Sequence, residues 1–200
     1  MKVMCMNEEN KQILIEIARK AIELWVKEGK IYTPELERLP EFLKEKKGVF
    51  VTIYKKRGNE KILRGCIGFP YPDFPLGLAL ARAAVEAAND PRFPPLQENE
   101  LDEITLEISL LSVPKKLKLT IEERKRLPEL LDKKKGYIIK KGFASGLFLP
   151  QVWEELQDPY EFLANLCFKA GLHPDAWMDE DTEIYEFEAE IISEEKINQN

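Results

Sequence analysis

The chain is 200 residues long, 44% hydrophobic and 33% charged, with a formal net charge of −6. That balance suits one large globular domain, or a main domain with a small satellite, and excludes a disordered chain. No apolar run approaches the roughly 20 residues that span a bilayer, and Met1 to Asn10 does not read as a signal peptide, so the expected location is the cytoplasm with no membrane partner.

Residues Glu8 to Glu28 read as a helix. Ile13, Leu14, Ile17, Ala18, Ala21, Leu24 and Trp25 recur at three- and four-residue steps and give it one apolar face. Asn7 suits the N-cap, Glu8 and Glu9 the positive helix start, and Gly29 the stop. Tyr32 to Lys47 carries Pro34 and Pro40 and reads as a connector with one short helix around Pro40 to Lys46. Val49 to Tyr54 (VFVTIY) is β-branched and aromatic, Arg57 to Glu60 is a turn, and Lys61 to Gly68 returns as the second strand of a hairpin. Pro70, Pro72 and Pro75 forbid a central strand, so an ordered loop follows. In it, Asp73 is placed to cap an alanine-rich helix that runs to about Asn89.

A second proline-bound loop spans Asp90 to Pro95. Ile104, Leu106, Ile108 and Leu110 then alternate with polar residues, the pattern of a half-buried strand with one wet face. Ile121 to Leu131 reads as a helix, Tyr137 to Lys140 and Leu147 to Leu149 as short strands, and Gln151 to Gln157 and Pro159 to Ala170 as helices, the last stopped by Gly171. Tyr185, Phe187, Ala189 and Ile191 alternate with glutamates in one final strand at or near a sheet edge. The expected fold class is α+β: a mainly antiparallel sheet flanked by helices, with a smaller second lobe at about 111–157.

Three cysteines, Cys5, Cys66 and Cys167, stand far apart, and His173 is the sole histidine. These spacings exclude a disulfide framework, a zinc ribbon and a multi-histidine metal site, and leave only carboxylate metal sites open. Cys5 reads as an inert thiol near a chain end, Cys167 as core, and His173 as a surface residue. No metal is assigned and no cofactor is named by any motif. Leu111 to Lys141 holds eleven Lys and Arg against four Asp and Glu, whereas Asp175 to Glu195 holds ten acids and no base. The plainer reading is two solvated faces of opposite sign; the functional one is a basic patch for an anionic partner. Abundant Lys and Glu also suit a protein from a hot environment.

The hexapeptide Leu63-Arg64-Gly65-Cys66-Ile67-Gly68 sets a thiol and a guanidinium between glycines at the end of a strand. Alternation places Arg64, Cys66 and Gly68 on one face, Gly65 and Ile67 on the other. All six residues are candidates for ligand binding, and Cys66 also for catalysis as a thiolate nucleophile; its plainer role is a small buried residue. Gly65 to Gly68 matches the GxxG of KH modules, but there the motif joins two helices, so nucleic acid is not favoured. Glu86 and Asp90, four residues apart at a helix end, are candidates for general acid–base work, with Arg92 as a ligand-binding cation. Their plainer role is capping and turn formation.

Together, LRGCIG at 63–68, AAVEAANDPRFPPL at 83–96, LEISLLSVP at 106–114, LFLPQVWEE at 147–155 and FLANLCFKAGL at 162–172 resemble the AMMECR-type domain family. The resemblance covers roughly Asn10 to Ile192, as a single domain, and the short chain suits a prokaryotic, archaeal version. It implies an α+β fold with a larger and a smaller part, an intracellular protein, MEMO-type and radical-SAM proteins as partners, and the LRGCIG motif as the functional site. It implies no established activity. Two functions are therefore expected in competition. One is an enzyme or accessory with a small anionic or nucleotide-like ligand at Leu63–Gly68. The other is a protein- or RNA-binding adaptor that uses the basic 111–141 region.

Overall fold

The structure, a computed structural model, describes residues 6–58 and 60–197; Cys5 lies outside them. The chain divides into two compact units, one formed by residues up to Leu111 together with those from Glu190, the other by Ser112–Ala189. The fold is α+β, with two antiparallel four-stranded sheets.

In the first unit, helix α1 spans Glu8–Glu28. Asn7 caps it by accepting from the Asn10 N–H, and Gly29 closes it in the left-handed region, at φ 65°. A short helix α2, Glu41–Lys44, lies in the connector. Strands β1 (Gly48–Arg57) and β2 (Glu60–Phe69) form the hairpin, and helix α3 (Leu76–Ala88) follows. The N-cap of α3 is Pro75, with no side-chain cap, so Asp73 does not take the capping place its spacing suggested. Strand β3 (Ile104–Leu111) pairs with the other side of β1. Val49, Val51 and Ile53 on β1 stand beside Leu110, Ile108 and Leu106 on β3, and this apolar face joins α1 and α3 in the first core. Alanines at 79, 83, 84, 87 and 88 line the buried side of α3, so its backbone comes close to the sheet. The other face of β3 is drier than its sequence suggests: Thr105 and Ser109 are buried there.

The second unit holds strands β4 (Lys115–Lys116), β5 (Gly136–Lys141), β6 (Ala144–Phe148) and β7 (Glu183–Phe187), in the order β4-β7-β5-β6. The single helix expected over 121–131 is two short ones, α4 (Ile121–Lys125) and α5 (Leu127–Leu130). Pro128 lacks an N–H and clashes with the preceding turn, so the helix restarts there with proline near its first position. Helix α6 (Pro159–Lys169) packs Phe162, Leu163, Leu166 and Cys167 into a second core with Tyr137 and Trp153. Within it the Trp153 and Phe162 rings stack at 3.7 Å.

The last alternating stretch is two strands, not one. Strand β7 belongs to the second sheet, and β8 (Ala189–Ser193) lies at the edge of the first, beside β3. At the break, the Glu188 N–H donates to Ser112 Oγ and the Glu188 carbonyl accepts from the Ser112 N–H. Helix α7 (Glu194–Ile197) follows directly. Its Glu194 receives both sides of the Arg19 fork, at 2.6 and 2.8 Å, and the Leu106 N–H at 2.9 Å. Arg19 also donates to the carbonyls of Leu101 and Ile104. This pair ties the C-terminal segment to α1 and β3. Glu194→Ala leaves the guanidinium without its partner, and the expected loss is about 3 kcal/mol. Urea unfolding measures it, and a loss below about 0.5 kcal/mol, the level of an ordinary surface change, would show that the latch carries no stability.

Candidate functional site

The site is built on β2, an edge strand. Ile53 pairs with Gly65 and Tyr54 with Leu63, so Arg64 is an extra residue: a β-bulge. The bulge breaks the regular alternation. Cys66 stands opposite Thr52, on the face away from Val51 and Ile53, while Gly65 and Ile67 face the helices. Gly65 is a glycine because a Cβ there would sit 2.1 Å from the Ala87 carbonyl oxygen at the end of α3. A Cβ on Gly68 would likewise fall 2.3 Å from the Val49 carbonyl oxygen and 2.4 Å from the Phe50 ring. Ile67 packs on the first core, and Leu63 is an exposed shoulder on the Thr52 side of the strand.

Cys66 is half-buried and forms no disulfide. The Thr52 hydroxyl donates to its sulfur at 3.4 Å. In register, Thr52 also stands beside Glu107 on β3, so thiol, hydroxyl and carboxylate form one row across three strands. The outward backbone of Cys66 is closed by side chains. Asp90 accepts its N–H at 2.9 Å, and Arg92 donates to its carbonyl at 3.4 Å. The two occupy the places that a neighbouring strand would take.

Asp90 is 1% exposed and accepts four hydrogen bonds. One oxygen takes the Arg92 N–H and Nε, both at 3.0 Å; the other takes Arg92 Nη2 at 2.6 Å and the Cys66 N–H. The Arg92 side chain, foremost, holds the Asp90 carboxyl down at about 2 despite its burial. Arg92 in turn is raised, chiefly by Asp90, with Cys66 contributing. It is therefore Arg92 that stands as the cation beside the thiol. Arg64 does not share that face: the bulge turns it to Glu100, which it grips through Nε at 3.0 Å and Nη2 at 2.9 Å. Lys55, in register on the helix face, approaches the same carboxylate at 3.6 Å. Arg64 above all holds Glu100 at about 2. Only 13% of the Arg64 side chain is exposed, and its fork is spent on this pair.

Asp90 and Glu86 part company. Asp90 turns inward to β2, whereas Glu86 pairs with Arg82 at 2.9 Å and lines a separate cleft on α1 and α3. Thr52, Glu100 and Glu107 were missed as candidates. Thr52 carries a signal, as a polar residue within an apolar strand; the other two carry none. Among the described residues no group of three His, Cys, Asp or Glu is placed to hold a metal ion.

In the second unit the basic and acidic segments meet. Lys116 pairs with Glu183, Lys135 with Glu186, and Lys141 with Asp179 and Asp181. Strand β7 lies between β4 and β5, so the acids of one run interleave with the bases of the other. Lys125 and Arg126 pair within their own helices, and Arg124 donates to the carbonyls of Trp177 and Thr182. Cys167 is buried, which pushes its thiol pKa up. His173 is exposed and lies 3.2 Å from Asp179.

A family model described as AMMECR1 matches residues 15–192. A protein of Thermococcus gammatolerans is 49% identical over 187 residues, covering 92% of this chain and 90% of its own. Protein MK0488 of Methanopyrus kandleri is 45% identical over 194 residues, 94% of this chain and 90% of its own. The crystal structure of the uncharacterized protein PH0010 from Pyrococcus horikoshii superposes with a TM-score of 0.83 at 45% identity, covering 93% of this chain and 92% of that one. These archaeal relatives carry no assigned function in their names, and the matched span takes in both units: the chain belongs to the AMMECR1 family.

Proposed function

We propose that the Cys66 end of β2 binds a small anionic or nucleotide-like molecule, held by Arg92 against the Cys66 thiol and the Thr52 hydroxyl. One observation carries this reading. The Arg92 guanidinium is anchored on a buried carboxylate beside the Cys66 backbone, yet 56% of its side chain is exposed. Its Nη1 makes no hydrogen bond among the described residues. A guanidinium held in place with an open edge is suited to an anion, because little side-chain freedom remains to be lost on binding. The Thr52 hydroxyl, donating to the sulfur at 3.4 Å, holds the thiol in one orientation beside that edge. Asp90 acts in this reading as a positioning residue: its carboxylate is ionised and fully occupied, which suits it neither to give nor to take a proton near neutral pH. Arg64 and Glu100 hold the bulge, and Gly65, Ile67 and Gly68 hold the strand against its neighbours.

The reading places the protein in the cytoplasm, where thiols stay reduced, and takes MEMO-type and radical-SAM proteins as the partners to seek by co-purification. The alternative, an adaptor module on residues 111–141, is favoured by no comparable arrangement, since five of its eleven cations already face acids. Alkylation by iodoacetamide, followed site by site by mass spectrometry, tests the proposal. Cys66 is expected to react well ahead of buried Cys167. Excess inorganic phosphate or adenosine monophosphate should slow its reaction several-fold, and Arg92→Gln should abolish that protection. Unchanged Cys66 reactivity with both anions would refute the site.

A further inference from the structure

We propose a second ligand site in the first unit: the cleft on α1 and α3, of ≈ 560 Å³, which takes a small molecule with an aromatic or aliphatic body and one carboxylate. Its volume falls in the range of roughly 300–1,000 Å³ usual for ligand pockets. The walls follow from local chemistry. Gly29 ends α1 and turns the chain, and the segment after it sets Tyr32 and Pro34 across from Trp25 in the last turns of the helix. Phe74, from the loop before α3, adds another aromatic wall. Ala79 lies in the floor, and its small side chain is what leaves the hollow open. Lys20 lies over the Tyr32 ring at 4.5 Å, which fixes that wall.

The lining is mostly apolar, with Thr33 and the Tyr32 phenol as neutral polar groups, and its charged groups stand at one place. Arg82 and Glu86, one turn apart on α3, stand at the cleft as an exposed pair. Such an exposed pair on one helix is weak and readily exchanged. Arg82 spends only Nε on Glu86, and its guanidinium lies 5.3 Å from the Phe69 ring centre. Among the described residues its two terminal amines make no hydrogen bond and remain as a planar donor edge, the shape that matches a carboxylate. A ligand ammonium is less well served. Glu86 already faces Arg82, so an ammonium at Glu86 would also meet the guanidinium charge. The cleft thus selects an apolar body with an acid group. This site is independent of the Cys66 reading, and it explains what Glu86 does at the end of α3.

Nuclear magnetic resonance titration of the labelled full chain decides the matter with three matched probes: 4-phenylbutyrate, 4-phenylbutanamide and 4-phenylbutylamine. The carboxylate is expected to shift the resonances of residues 31–34 and 78–86 saturably, and to bind about ten-fold more tightly than the amide, a difference of about 1.4 kcal/mol. The amine should bind more weakly still. Arg82→Gln should bring the carboxylate down to the amide's affinity, while Cys66→Ser should change nothing. Leu78→Trp fills the hollow and should remove all three. Should that variant fail to fold, Phe74→Ala, which deletes a wall from an exposed position, should weaken the carboxylate and amide alike. Tighter binding of the amine, a carboxylate affinity unmoved by Arg82→Gln, or the absence of saturable shifts in these residues would overturn the proposal.

Discussion

Asp90→Ala is expected to destabilise the protein by about 2–3 kcal/mol, the cost of leaving buried donors without the acceptor they share. The carboxylate collects four donors on two oxygens, two on each. Removing it strands the Cys66 N–H and frees Arg92, so the site loses its geometry as well as its support. Asp90→Asn is no milder in principle. Whichever way the amide is turned, its NH2 faces two donors where an oxygen accepted them. Urea unfolding reports the stability, and hydrogen exchange at the Cys66 amide reports the local loss. An Asp90→Asn protein with unchanged stability and an unchanged Cys66 exchange rate would remove the carboxylate from its central place.

The same carboxylate gives the protein an acid limit. Its folded pKa, about 2, lies below the ordinary 3.8, so the ionised form is the one that folding favours. The stability it contributes, about 2 kcal/mol, is fully present above the unfolded pKa and is lost as the pH falls from about 4 towards 2. Glu100, also at about 2 against an ordinary 4.5, acts in the same direction through Arg64 and adds a contribution of similar size. Between pH 5 and pH 3 the Asp90→Asn variant should therefore lose about 1 kcal/mol less than the parent chain. Parallel stability curves for the two proteins would mean that Asp90 is not held ionised by folding.

Gly65→Ala is the second large effect. Adding one methyl group places a carbon 2.1 Å from a backbone carbonyl of α3, and neither backbone can retreat cheaply. The expected cost is about 3 kcal/mol, at the upper end of that for overpacking. The strain should also push β2 from the end of α3 and lengthen the Cys66–Asp90 hydrogen bond. Gly29→Ala is the matched control. Gly29 has φ +65° with nothing within 4 Å of its would-be Cβ, so alanine there pays only the left-handed penalty of about 1 kcal/mol. Comparison of thermal midpoints separates the two cases. Equal losses at both positions would show that close approach at Gly65 is not what requires glycine.

Much of this was legible along the chain. The bounds and both caps of α1 and the course of the hairpin follow from interactions within four or five residues, which a periodic pattern records. The glycines of LRGCIG announced close packing, and Asp90 and Arg92 announced a charged turn. Other features left no local trace. The alternation of 185–191 is unbroken, yet the chain leaves one sheet at Glu188 and enters another. A period-two pattern states which residues share a face, not which strand stands beside them. The bulge at Arg64 is equally silent, since a bulge appears only when two strands are laid in register.

What the sequence alone determined is most of the local elements, the fold class, the family and the place of the motif, because helix periodicity, capping and turn chemistry act over a few residues. Tertiary structure alone decided which cation accompanies Cys66. Arg64 is two residues away in the chain but is turned to Glu100, while Arg92, 26 residues on, is brought to the Cys66 carbonyl by the end of α3. The physical reason is that charges pair by distance in space, and that distance is set by where a glycine lets a helix meet a strand.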